Sequence, residues 1–409
     1  MKKKLFAIIL SSFLCISAVA CGNTDSARNV SSSGTTVKIA ARSGSHCDVI
    51  NAVKADFETS HNCTIEVIPL SANEIHDNAL ADIGNSVGKY DIIMIDDPLM
   101  PEYIEKKVLS NLTQLGYTDD EDFVEKSRLL GKDPYPLGAT YALPFSGNVQ
   151  LIFYNESALD SSADLSNWEG IFEAAEKAQK AGKKGYAIRG QSGNPIVSDF
   201  LPILWAFGGD IFDGNQVVID SAESREALEF YCKLYATGAN YEKDDLVAAV
   251  SSGEACIALG WPSWFISGTG ASASIEQIPG KKDSSAEILP TGEIGNWLMG
   301  ITENSINKEL ALEAIEYLTS KDVQIKALEF GGIPTRNSIF RDSEILKKYP
   351  FFEAIYSGTN NSRVRPRTTK WSRIEDVFGE QLFKCINGEQ SVEDTIKNSQ
   401  SAIQTLATE

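Results

Sequence analysis

Histidine is almost missing from this chain: three residues in 409, all between His46 and His76. None of the seven cysteines forms a CxxC pair, so the ligand spacing of zinc sites is absent and no metal or other cofactor is expected. The same shortage leaves no persuasive Ser/His/Asp set for nucleophilic catalysis. Basic residues are also few, 37 against 56 acidic ones, for a formal charge of -19 that becomes about -22 once Lys2, Lys3 and Lys4 are removed. A surface this acidic argues against nucleic-acid binding by phosphate neutralisation. There is no phosphate-binding P-loop and no GxGxxG between a strand and a helix. Beyond the N-terminus, no stretch is apolar enough over ~20 residues to span a bilayer.

What is present begins at the N-terminus. Lys2 to Lys4 precede the apolar, serine-dotted run Leu5–Ala20, which reads as a secretory signal peptide over 1–20. The run ends Ser17-Ala18-Val19-Ala20-Cys21-Gly22. This resembles the lipobox of bacterial lipoproteins, and the resemblance implies that Cys21 is acylated and anchors the exported protein to the outer face of the membrane. Gly22 to Thr36 is polar and small, a segment too poor in apolar surface to offset its ordering entropy, so 21–36 reads as lipidated cysteine plus flexible tether. That leaves Cys47, Cys63, Cys232, Cys256 and Cys385, an odd number. Cys47 and Cys63 read as opposite ends of one helix, about 20 Å apart at 1.5 Å per residue, so no bridge is expected there. A Cys232–Cys256 pair stays open.

About 375 residues remain, more than one hydrophobic core usually supports, so two lobes are expected. Val37–Ala41 reads as a strand and Asp48–Ser60 as a helix. Thr64–Pro69 is a strand, Asn73–Ser86 a helix and Tyr90–Ile95 a buried strand. This alternation predicts a parallel, doubly wound α/β sheet. Ligands of such sheets bind beyond the carboxyl ends of the strands, which singles out Arg42, Ser43, Ser71, Asp96 and Asp97. For each of these a helix cap or turn is the plain alternative. Later helices are predicted from Trp168 to Ala181, from Ser221 to Gly238, after Asn307 and after Ser391.

Several blocks, in order, carry a resemblance. They are Tyr90-Asp91-Ile92-Ile93 with Val108-Leu109-Ser110-Asn111-Leu112-Thr113, and Leu143-Pro144-Phe145 with Phe153-Tyr154-Asn155-Glu156. Gly208-Gly209-Asp210 with Phe212-Asp213, Gly253–Ala258 with Trp261, Gly295-Asn296-Trp297, Pro334-Thr335-Arg336 and Gly388–Ser391 follow. Together they resemble the extracellular solute-binding proteins of carbohydrate ABC transporters, the maltose-binding-protein-like class. Asn111 departs from the acid usual at its place. The resemblance implies an α/β, two-lobed periplasmic-binding-protein-like fold with a cleft between the lobes and three hinge crossings. It places lobe 1 at 37–143 plus 300–338 and lobe 2 at 144–299 plus 339–409. It also implies a carbohydrate ligand, an ABC permease with its ATPase as partners, and a monomer.

A sugar site needs aromatic platforms for ring faces and charged or amide groups that grip paired hydroxyls. Trp261, Trp264, Trp297 and Trp371 are the candidate platforms, whereas Trp168 and Trp205 fall on helical faces and read as core. Arg42, Asp96, Asp97, Asn148 and Arg367 are the polar candidates. Adjacent residues of an extended chain point opposite ways, so only one of Asp96 and Asp97 should face the ligand. The run Arg363–Arg373 allows two other readings, a solvated face or recognition of an acidic or phosphorylated solute. A glycoside hydrolase would need two carboxylates facing each other across ~5–10 Å, which the neighbours Asp96 and Asp97 do not supply.

Overall fold

The structure is a computed structural model describing residues 34–265, 273–282 and 292–409. The signal peptide, Cys21 and most of the tether lie outside the described residues. Two five-stranded sheets organise the chain from Thr35 onward. The first contains β1 (Thr35–Arg42), β2 (Cys63–Leu70), β3 (Ile92–Asp96), β4 (Ala142–Ser146) and β10 (Trp297–Ile301), in the order β2-β1-β3-β10-β4. The second contains β5 (Leu151–Tyr154), β6 (Lys184–Ile188), β7 (Ala239–Asn240), β8 (Ala255–Gly260) and β9 (Ser274–Glu276), in the order β7-β6-β8-β5-β9. The continuous apolar run Ile92–Ile95 is buried along its length, as a strand covered on both faces must be.

The first three strands are parallel as expected, with β1 flanked by β2 and β3. The sheet is mixed, however: β10, far along the chain, runs antiparallel between β3 and β4. No local pattern could disclose that insertion, because it depends on a long-range return. The boundaries expected at 143/144 and 299/300 fall inside β4 and β10, which lie wholly in the first sheet. The chain therefore crosses at 147–150 and at 292–296. A third crossing passes Gly331–Arg336, where Gly147 N–H donates to Ile333 O at 3.2 Å.

The helices follow their caps. The stretch expected as one helix over Asp48–Ser60 is two, α1 (Ser45–Val53) and a short helix from Ala55 to His61, and Cys63 then opens β2 instead of ending a helix. α2 (Ala72–Ala81) begins with a reciprocal cap: Ser71 Oγ accepts from Glu74 N–H at 3.2 Å, and Glu74 Oε2 accepts from Ser71 N–H at 2.7 Å. Ser71 is therefore held as a cap. α3 (Trp168–Lys180) closes at Gly182, whose φ of 83° is readily reached by glycine. α4 (Asn194–Ala206), α5 (Ala222–Tyr235) and α6 (Lys243–Ser252) surround the second sheet with α8 (Trp371–Ile386) and α9 (Val392–Thr408). In α7 (Lys308–Leu318), Asn307 precedes the first turn without capping it, and its amide reaches Asp91 Oδ1 at 3.1 Å. Trp168 and Trp205 are buried in the second core. All five described cysteines are free, and Cys232 lies 3.8 Å from Cys385, not beside Cys256.

Candidate ligand-binding cleft

A cavity of about 930 Å³ opens where the carboxyl ends of both sheets meet the crossings. It lies at the upper end of the roughly 300–1,000 Å³ typical of small-molecule pockets. Six of the nine candidates line it: Arg42, Asp96, Asn148, Trp261, Trp264 and Trp297. Trp297 is the register partner of Asp96 in the β10–β3 pair, so strand pairing sets an aromatic ring beside a carboxylate at the cleft edge.

Trp261 and Trp264 sit just past the end of β8, at and within a single helical turn (Pro262–Phe265) that is fixed from the first crossing. Asn148 Nδ2 donates to Ser263 Oγ at 3.0 Å, and Ser263 N–H donates to Asn148 Oδ1 at 3.2 Å. Asn148 thus lines the cleft while its amide holds the turn that carries the tryptophans. The ring of Trp261 lies against Gly295 of the second crossing. A Cβ at Gly295 would fall 2.3 Å from the ring, so only glycine leaves it room.

Three candidates lie elsewhere. Asp97 is fully buried: it leaves β3 as the first residue of a 3-10 turn, and, against the expected alternation, its carboxylate converges with that of Asp96 on one guanidinium. Arg367 is turned inward, donating to the backbone oxygens of Asp97 at 2.9 Å and Leu130 at 3.0 Å. Trp371, at 1% exposure, packs with Ile374 and Phe378 in the second core. Its sequence setting, a proline-containing basic run, looked like loop, yet Trp371 is the first residue of α8 and faces inward. The basic run is spent on the fold as well: Arg363 pairs with Asp210, and Arg373 pairs with Glu409 at the surface.

Arg365, which was not a candidate, organises the floor of the cleft. Its guanidinium meets Asp96 at 2.5 Å, Asp97 at 2.6 Å, Glu293 at 3.2 Å and Glu375 at 3.9 Å. Two of these carboxylates belong to β3 and its turn, one to the second crossing and one to α8. Burial pulls the Arg365 pKa down, but the four acids hold it well above the ordinary value. Burial pushes Glu293 up to about 8 and Glu375 up to about 7, with Arg365 opposing the shift in both. Asp97 also moves up, again chiefly from burial.

These shifts fix the sign of a pH effect. Folded-state values above the unfolded ones mean that the native state binds more protons. The stabilisation is fully present below the unfolded carboxylate range, near pH 4.5, and is lost as pH rises toward about 8. Thermal unfolding is therefore expected at a higher Tm at pH 5 than at pH 8, with Glu293→Gln flattening the slope. A Tm that rises over this interval would contradict it.

The architecture defines a two-lobed α/β protein whose cleft binds a solute. The chain belongs to the bacterial extracellular solute-binding protein family, which matches over residues 45–325. Among curated proteins it is similar to the probable amino-acid ABC transporter periplasmic-binding protein y4oP of Sinorhizobium fredii, 23% identical over 80% of this chain and 78% of that one. Among solved structures it is similar to maltose-bound MalE3 of T. maritima, with a TM-score of 0.81, 24% identity and coverage of 91% and 100%. The solute-binding protein of Agrobacterium radiobacter in complex with ribitol gives a TM-score of 0.81 at 19% identity, covering 91% and 99%. No helix among the described residues is long and apolar enough to cross a membrane.

Proposed function

We propose that this chain closes its two lobes on a carbohydrate and delivers it to an ABC permease with its ATPase, as a monomer held to the membrane through Cys21. The first lobe then comprises residues 35–146 with 297–338, and the rest forms the second. The observation that carries the reading is the trio of tryptophans on the cleft wall, one of them seated on a glycine that admits no other residue. Flat apolar rings beside carboxylates and amides suit a sugar, with its apolar ring faces and rim of hydroxyls. The similar proteins bound to maltose and ribitol support the same class.

Thermal-shift titration against neutral and acidic mono- and oligosaccharides, polyols, amino acids and acidic metabolites tests this. A sugar at 100 times its dissociation constant should stabilise the protein by about 2.7 kcal/mol. Trp261→Ala and Gly295→Val should each weaken binding by about 1–3 kcal/mol. Stabilisation confined to non-sugar compounds, or tryptophan variants with unchanged affinity, would sink the reading.

A further inference from the structure

The cleft contains one device twice, once in each lobe. β1 ends at Arg42 and passes through Ser43-Gly44 into α1; β6 passes through Arg189 to Ser192-Gly193 and into α4. Gly44 has φ 91° and ψ -141°, and Gly193 has φ 87° and ψ -144°, a conformation essentially restricted to glycine. Neither glycine can cap with a side chain, so both helix N-termini enter the cleft without a side-chain cap. Amide N–H groups and the positive end of the helix dipole favour an anion at such a place.

The arginines are the independent observation. Every other arginine lining this cleft or its floor is occupied by acids or backbone oxygens, whereas Arg42 and Arg189 have no side-chain hydrogen bond or ion pair among the described residues. Arg189 stacks over Trp264 at 4.8 Å, and its buried Nε has no partner. In the first turn of α1, His46 is only 8% exposed, lines the same cavity and leaves Nε2 unpartnered. Burial, then the charges of Arg42 and Lys243, push its pKa down to about 3, so it serves as a neutral hydrogen-bonding group.

The cleft also carries acids, Asp96, Asp244, Glu375 and Asp376. Asp96 is held by Arg365, Glu375 Oε1 accepts from Asn194 Nδ2 at 2.9 Å, and Asp376 stands beside Gly193. The α4 end is thus already faced by carboxylates. At the α1 end, Asp96 and Asp244 line the cavity and bear on Arg42, but Asp96 is taken by Arg365 and Asp244 by Lys243, so neither pairs with the Arg42 guanidinium.

We propose, building on the sugar reading, that the ligand is an acidic sugar whose carboxylate is seated at Arg42 and the α1 N-terminus and is gripped by Arg189 when the lobes close. A carboxylate has two coplanar oxygens that match the arginine fork. A single negative charge suits the site better than a phosphate dianion, because four carboxylates surround one arginine on the floor. Arg42 and Arg189 come from opposite lobes, and the field of Arg42 is among the influences that lower the Arg189 pKa, behind burial. An anion between them turns this repulsion into an attraction that favours the closed state.

The test is calorimetry of the purified chain with galacturonate- and glucuronate-containing mono-, di- and trisaccharides, beside their neutral counterparts, a sugar phosphate and free amino acids. Uronates should bind tighter than the neutral counterparts by roughly 30- to 100-fold, and Arg42→Gln or Arg189→Gln should remove that preference. Arg42→Lys should restore part of it, and raised salt should reduce it. Circular dichroism and Tm should show both Gln variants folded. Neutral sugars bound as well as or better than uronates would overturn the inference and leave the sugar reading standing, as would a sugar phosphate preferred over its uronate. Amino acids bound with every sugar silent would overturn both, and a panel in which no uronate binds overturns the inference.

Discussion

Replacing Arg365 with methionine is expected to be the most damaging single change in the chain. The variant should lose on the order of 3–5 kcal/mol of unfolding free energy, seen as a fall in the urea midpoint. The reason is asymmetric. Removing the guanidinium leaves Asp96, Asp97, Glu293 and Glu375 facing one another without their shared cation, three of them buried. Since protonation can relieve that repulsion, the variant should recover much of its stability at pH 5. An Arg365→Met protein as stable as the parent at pH 8 would show that the cluster is electrostatically neutral at that pH. Asp97→Asn in the Arg365→Met background should restore part of the loss, because it removes one of the uncompensated charges.

The second large effect separates a core tryptophan from a cleft one. Trp371→Ala is expected to cost about 3–5 kcal/mol through the cavity it leaves in the second core. The dissociation constant for whatever ligand the thermal-shift panel identifies should stay unchanged. Trp261→Ala should do the reverse, weakening the ligand while moving the urea midpoint much less. A Trp371→Ala variant with intact stability and lost binding would contradict the packing described above.

Comparison of Trp371 with Trp261 shows what the sequence could disclose. Trp261 follows an apolar strand and precedes a proline, so the end of β8 and its cleft-facing ring were both readable. Trp371 follows a proline-containing basic stretch, but it opens a stripe with Ile374, Phe378 and Leu382 at helical spacing, a local pattern that marks it as the inward face of α8. The strands β1, β2 and β3 were legible because each is locally periodic or continuously apolar. The place of β10 was not, since its partners lie some 150 to 200 residues away. Asp96 could not be told from Asp97 by alternation, because Asp97 leaves the strand in a 3-10 turn and both carboxylates reach Arg365. Arg365 was hidden in a run of four arginines, and its role depends on acids from three separate segments. Arg189 gave a signal that was overlooked: it repeats, at the end of a second strand, the placement that singled out Arg42.

The contact between Trp261 and Gly295 makes the aromatic wall part of the hinge. The ring belongs to one lobe and leans on a crossing, and Asn148 ties its loop to another crossing. Bending at the hinge therefore carries the platform with it, so stacking and closure share one coordinate. A ligand with the right chemistry but the wrong thickness would hold the crossings apart, and the permease would meet a protein that is occupied yet still open.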